Sequence, residues 1–84
     1  MDNFYTIPVQ CRTMDLAGYY IGKKITINPT IKPLDGDCVL INHKSKIHLM
    51  EYNTPYLLPR STDKSQSVID VGLVDIIGVV IHNN

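Results

Sequence analysis

The chain has no tryptophan, one phenylalanine and only two cysteines in 84 residues. The opening MDNFYTIPVQ lacks both the basic region and the long apolar segment of a secretory signal. Cys11 and Cys38 therefore read as free, buried thiols of a cytoplasmic protein, and a disulfide framework is not expected. An excess of charge is also missing: eight basic side chains balance eight acidic ones, and no basic run exceeds two residues. That excludes the basic stripe of a nucleic-acid binder, so no direct contact with nucleic acid is expected. A balanced charge also does little to oppose self-association. The longest apolar stretch, residues 68–81, is interrupted by Asp70 and Asp75 and falls short of the roughly 20 residues that cross a membrane. His43, His48 and His82, taken with the two cysteines, show none of the short spacings that hold a metal. Neither a metal nor another cofactor is expected.

Against these absences stands an apolar content of 44%, ordinary for a globular chain and too high for a disordered one. The length suits one small domain, residues 1–84. A chain of this size buries only about 60–65% of its unfolded surface.

β-branched and aromatic residues recur in short runs between turn residues, which predicts a mostly β fold, a small sandwich or partly open barrel of short antiparallel strands. Residues 4–9 form a first strand, with Pro8 marking an edge or an end. Residues 14–18 suit a bend or one helical turn. Residues 19–27 read as the next strand, with Ile21, Ile25 and Ile27 on one face, Tyr20, Lys24 and Thr26 on the other, and Gly22 as a bulge. Residues 38–41 are continuously apolar, as expected of a central strand buried on both faces. The polar residues 42–46 join them to residues 47–51 in an antiparallel hairpin. Pro55 and Pro59 keep residues 52–59 extended. Residues 60–67 are the most polar and are the expected mobile loop. Residues 68–71 and 73–81 close the fold, with Gly72 and Gly78 at bends or bulges.

Candidate chemistry is sparse. Asp35 and Asp37 flank Gly36 and imitate a carboxylate pair, but Asp-Gly-Asp is first of all turn chemistry, with the carboxylates accepting from nearby backbone N–H groups. Pro29 and Pro33 set the bend that precedes it. Phe4 and the five tyrosines would suit base stacking, yet without a basic groove they are expected to pack the core or an interface.

The segment Thr26-Ile27-Asn28-Pro29-Thr30-Ile31, followed by Asp35-Gly36-Asp37 and the apolar residues 38–41, resembles the nucleophile region of peptidase S24-like domains, the C-terminal domains of LexA and phage CI repressors. There a Ser-Met-x-Pro-x-Ile segment supplies the serine of a self-cleaving Ser-Lys pair. The resemblance continues through residues 47–59, an apolar strand leading through Asn53 to Pro55, and through Ile76-Ile77-Gly78-Val79-Val80 in the closing strand. It covers residues 18 to 84, with residues 1–17 as an N-terminal strand and bend. Three departures remove the chemistry it implies. Thr26 stands in the serine's place, with a methyl group that restricts χ1. The hairpin that carries the family's lysine is replaced by the short link at residues 42–46. Lys44 and Lys46 fall in that link, where a solvated lysine is a poor base, and Lys64 lies too far along the chain to align. The Ala17-Gly18 pair, which imitates the family's cleavage site, precedes Thr26 by too few residues to fold back into its own site.

What the resemblance implies is a catalytically dead S24-like domain, truncated by loss of the lysine hairpin. It would mediate self-association of a CI-type transcriptional repressor and bring separate helix-turn-helix domains together. Residues 1–17 are too few to form such a domain. The alternative is a freestanding antirepressor or regulatory partner that forms mixed dimers with a repressor. In either case the interface is expected at Tyr56, Leu57 and Leu58 and in the closing strand at Ile76, Ile77, Val79, Val80 and Ile81.

Overall fold

A computed structural model describes residues 4–82. The expectations for Met1 to Asn3 and for the last two residues lie outside it. Seven antiparallel strands form one sheet, in the spatial order β1 (Tyr5–Pro8), β2 (Lys24–Asn28), β7 (Asp75–His82), β3 (Cys38–His43), β4 (Lys46–Asn53), β5 (Tyr56–Leu58), β6 (Ile69–Asp70). Among the described residues there is no α-helix, only two short 3-10 turns at Asp15–Ala17 and Val71–Leu73. None of their helices is long and apolar enough to cross a membrane. The mostly β prediction holds.

The central strand is the apolar run at its centre. β3 lies between β7 and β4, and its side chains alternate between two cores. Cys38 and Leu40 join Ile25, Ile27, Leu49, Val9 and Met14 on one face. Val39 and Ile41 join Met50, Leu57 and Val79 on the other. A strand covered on both sides has no use for polar alternation. The hairpin after it is tighter than predicted. Strands run to His43 and from Lys46, leaving Lys44 and Ser45 alone in the turn, both at positive φ (53° and 66°). A two-residue hairpin turn of this kind demands that conformation, and strand pairing imposes it on residues that do not favour it.

Residues 19–23 do not extend β2. Gly22, at φ +93°, belongs to a turn and not to a bulge. Its N–H donates to Val9 O, and Lys23 N–H donates to Tyr20 O. Consequently Ile21 is 63% exposed, while Ile25 and Ile27, which share its parity, are buried. Periodicity predicted the face correctly only where the strand exists.

Both sheet edges are protected. On β1, Val9 N–H donates inward to Lys23 O. By alternation Pro8 turns its missing N–H outward, where no ladder bond is lost. The other edge, β6, is two residues long. Such blunted edges resist strand addition. Gly78, expected at a bend or bulge, lies beside one: β3 pairs Leu40 with Gly78 but Ile41 with Ile76. A Cβ at Gly78 would come within 2.5 Å of Ile27 Cγ2 and 3.0 Å of Asn28 O. Its glycine is therefore a matter of close packing between β7 and β2.

Residues 60–67, expected to be mobile, are laced to the N-terminal segment. Arg60 N–H donates to Thr13 O, and Leu16 N–H donates to Arg60 O. Ser61 donates to Arg12 O, and Asp15 accepts from both the N–H and the hydroxyl of Thr62. The Asp15 carboxyl is held below its usual range, chiefly by the Thr62 hydroxyl.

Candidate functional site

Thr26, the residue in the nucleophile's place, lies within β2 and pairs with Thr6 on β1 and His82 on β7. Its Oγ1 is 3.4 Å from Thr6 Oγ1. A second threonine hydroxyl has no tendency to take a proton from the first, so this pair does not assemble the activated nucleophile that acyl transfer needs.

The predicted turn is one, and it reaches further than local chemistry. Gly36 takes φ +97°. Asp37 accepts from Leu34 N–H, and Asn28 accepts from the N–H and hydroxyl of Thr30 just after β2. Asp35 instead accepts from the N–H and hydroxyl of Thr54, both at 2.9 Å. Those bonds, the backbone one first, hold its carboxyl below the usual range. Gly36 N–H donates to Tyr52 O, and Tyr52 N–H donates to Asp37 O. The turn thus docks on the β4–β5 connection, where Thr54-Pro55 is cis. Pro29 is exposed and Pro33 half-buried.

The expected interface residues do not form one surface. Leu57 is fully buried and Val79 nearly so; both are core residues and unavailable to a partner. Ile76 packs on their face, whereas Ile77 and Val80 pack on the opposite one. Leu58 is half-buried, and only Tyr56 (49%) and Ile81 (40%) are exposed. β7 is paired on both edges, with β2 and β3. A strand near the end of the sequence is not thereby at the edge of the sheet, which is why the expectation failed for Leu57 and Val79.

What the sequence did not reveal is a groove of about 390 Å³ on the first core's face. Tyr5, Ile7, Ile25, Ile47, Leu49 and Ile77 supply much of its wall. Tyr5 and Ile47 remain exposed at its rim. Here the sheet is covered only by the N-terminal segment, which docks by side chains. β5 pairs with β4 only at Glu51–Asn53, so Leu49 has no strand partner on that side. Thr13 Oγ1 donates to Leu49 O at 2.5 Å, Leu49 N–H donates to Cys11 Sγ at 3.4 Å, and Cys11 Sγ lies 3.2 Å from Thr13 Oγ1. With the Thr13 proton committed to Leu49 O, the thiol is the donor in that last contact. Cys11 and Thr13 thus finish the ladder in place of a strand. Both cysteines are free, as expected. Burial pushes the Cys38 thiol up to about 12, which leaves it inert.

A second, polar pocket of about 170 Å³ lies on the opposite face, between the β3–β4 turn and residues 65–67. His43 and His48 line it with Ser65, Gln66 and Ser67. His48 Nδ1 is buried there without a hydrogen-bond partner. Burial first, then His43 and Lys46, hold the His48 imidazole below its usual pKa. Among the described residues no group of three or more metal-ligating side chains converges.

No family model matches the chain, and no curated protein is significantly similar to it.

Proposed function

We propose that this chain is a non-catalytic self-association domain, acting as the C-terminal domains of phage CI-type repressors do, to bring separate DNA-binding domains together. The observation that carries this reading is the apolar groove, open on one face of the sheet and rimmed by exposed Tyr5 and Ile47. An apolar concavity with an apolar rim is a docking surface, and the occupant proposed is a second copy of the chain. Its balanced charge does not repel a like partner. The blunted edges at Pro8 and β6 disfavour strand addition, so association runs face to face. The residues assigned to the contact are Tyr5, Ile47 and Ile77, of which the closing-strand expectation contained only Ile77. Linking two DNA-binding heads in this way raises their effective concentration at paired operators. The motif around Thr26 is, on this reading, a scaffold for β2 and its turn without a catalytic role.

Sedimentation velocity over a concentration series tests the proposal. A dimer or higher oligomer is expected, and Ile47→Asp is expected to return it to monomer with an unchanged fold. A chain that stays monomeric at high micromolar concentration overturns the reading. Mixed species with a full-length repressor, accompanied by loss of operator binding, would support the antirepressor role instead.

A further inference from the structure

The polar pocket on the other face is independent of the groove. His43 and His48 sit at diagonal positions of the β3–β4 hairpin, since His48 pairs with Ile41 and His43 with Lys46. Residues 65–67 close over them, with Met50 and Ile69 as the apolar part of the wall. Three features point to a ligand. A buried imidazole nitrogen is left without a partner, a state that folded proteins avoid unless water, an ion or a ligand completes it. The space of about 170 Å³ is far larger than the roughly 10–15 Å³ that admits one water. The lining offers imidazoles, hydroxyls and an amide but no carboxylate among the described residues.

The charges around it share one sign. His43 and Lys46, from β3 and β4, both act on His48. From the loop side the one acid to consider is Asp63, and it is already engaged. It accepts from Ser65 N–H, from the Ser65 hydroxyl and from Gln66 Nε2, with Arg12 as a neighbouring cation. Ser67 and the two imidazoles remain to receive an anion.

We propose that this pocket binds a small tetrahedral oxyanion of the phosphate class, held by His43, His48 and Ser67. Binding takes up a proton on His48, delivered from solvent or from the dihydrogen form of the anion, and no covalent bond changes. A doubly protonated imidazole donates to the oxyanion in a charge-assisted hydrogen bond. Because uptake of anion and proton is linked, affinity rises as pH falls.

The test is an NMR titration of the full chain with inorganic phosphate, and in parallel with O-phosphoserine, at about pH 6 and about pH 8. Saturable shifts confined to His43, His48 and residues 65–67 are expected, with an upward move of the His48 pKa and tighter binding at the lower pH. Stronger binding of inorganic phosphate would mark a free ion as the ligand, and stronger binding of the monoester a phosphoryl group presented from outside; both support the site. Ser67 is exposed, so Ser67→Ala leaves the fold intact and is expected to weaken binding roughly fivefold through one lost hydrogen bond. Shifts that never saturate, that chloride reproduces, or that Ser67→Ala leaves unchanged would overturn the proposal. Sedimentation of the same samples reports on self-association separately, so either proposal can fail alone.

Discussion

The two faces of the sheet are covered by different means. On one, the chain's own β5, β6 and the Val71–Leu73 turn lie over Val39, Ile41, Met50, Leu57 and Val79, with Tyr52, Ile69, Val71, Val74 and Ile76 packed around them. On the other, Ile25, Ile27, Leu40 and Leu49 meet a non-strand segment that contributes Val9, Cys11, Met14 and Tyr19 and leaves a groove open. The first face is closed by backbone pairing. The second is closed by side chains standing in for it, with Cys11 and Thr13 capping Leu49. A chain of 84 residues has limited material to bury a sheet on both sides. It completes one face and leaves apolar surface on the other, which is where a partner has something to gain.

That contrast is open to attack by substitution. Leu57→Ala on the closed face should lose about 2–5 kcal/mol in denaturant unfolding, because its fully buried site has no way to collapse. Ile7→Ala beside the groove should lose about 1 kcal/mol, since the half-buried side chain borders open space. Equal losses would mean that the two faces are equally packed, contrary to the structure. Gly78→Ala should cost about 1–3 kcal/mol, because the new methyl meets Ile27 Cγ2 and the backbone of Asn28 and forces β7 from β2. Thr13→Val should cost about 1–3 kcal/mol by leaving Leu49 O unpaired in a buried position. If Thr13→Val were neutral, the N-terminal segment would be an ornament on the groove face and no substitute strand.

The sequence signalled strands well where apolar side chains and strand pairing agree. Residues 38–41 showed their double burial because a strand covered on both sides can dispense with polar residues altogether. Pro8 pointed to the edge because a residue without an N–H is harmless only there. Asp35-Gly36-Asp37 was legible as a turn, but its docking was not, because Thr54 lies 19 residues away from Asp35 and no local pattern joins them. Ile21 was misplaced for a related reason: alternation says which face a residue would take, not whether Gly22 has already turned the chain. The groove was invisible because it is made by what fails to cover the sheet. The closing strand was misjudged because nearness to a terminus carries no information about spatial order, and β7 lies between β2 and β3. Thr13, whose hydroxyl completes a distant strand, gives no signal that sets it apart from an ordinary surface threonine.

The smallest effect expected is a dependence on pH that separates the faces once more. His48, on the closed face, has its imidazole held below the ordinary value by burial, then by His43 and Lys46. The unfolded chain therefore binds more protons than the folded one just below about pH 6.5. Stability from this group is fully present above that pH and is lost as pH falls towards the folded value. The carboxyls of Asp15, Asp35 and Asp63 are held below their usual range by hydrogen bonds from Thr62, Thr54 and Ser65 respectively. Their contribution persists to much lower pH and disappears only as the acids titrate below the model carboxylate value of 3.8. Denaturation midpoints should thus fall in two separated steps on acidification. His48→Gln should remove the upper step and leave the lower one, whereas Asp35→Asn should weaken only the lower. A single step, or an upper step that survives His48→Gln, would show that protonation of His48 does not strain the closed face.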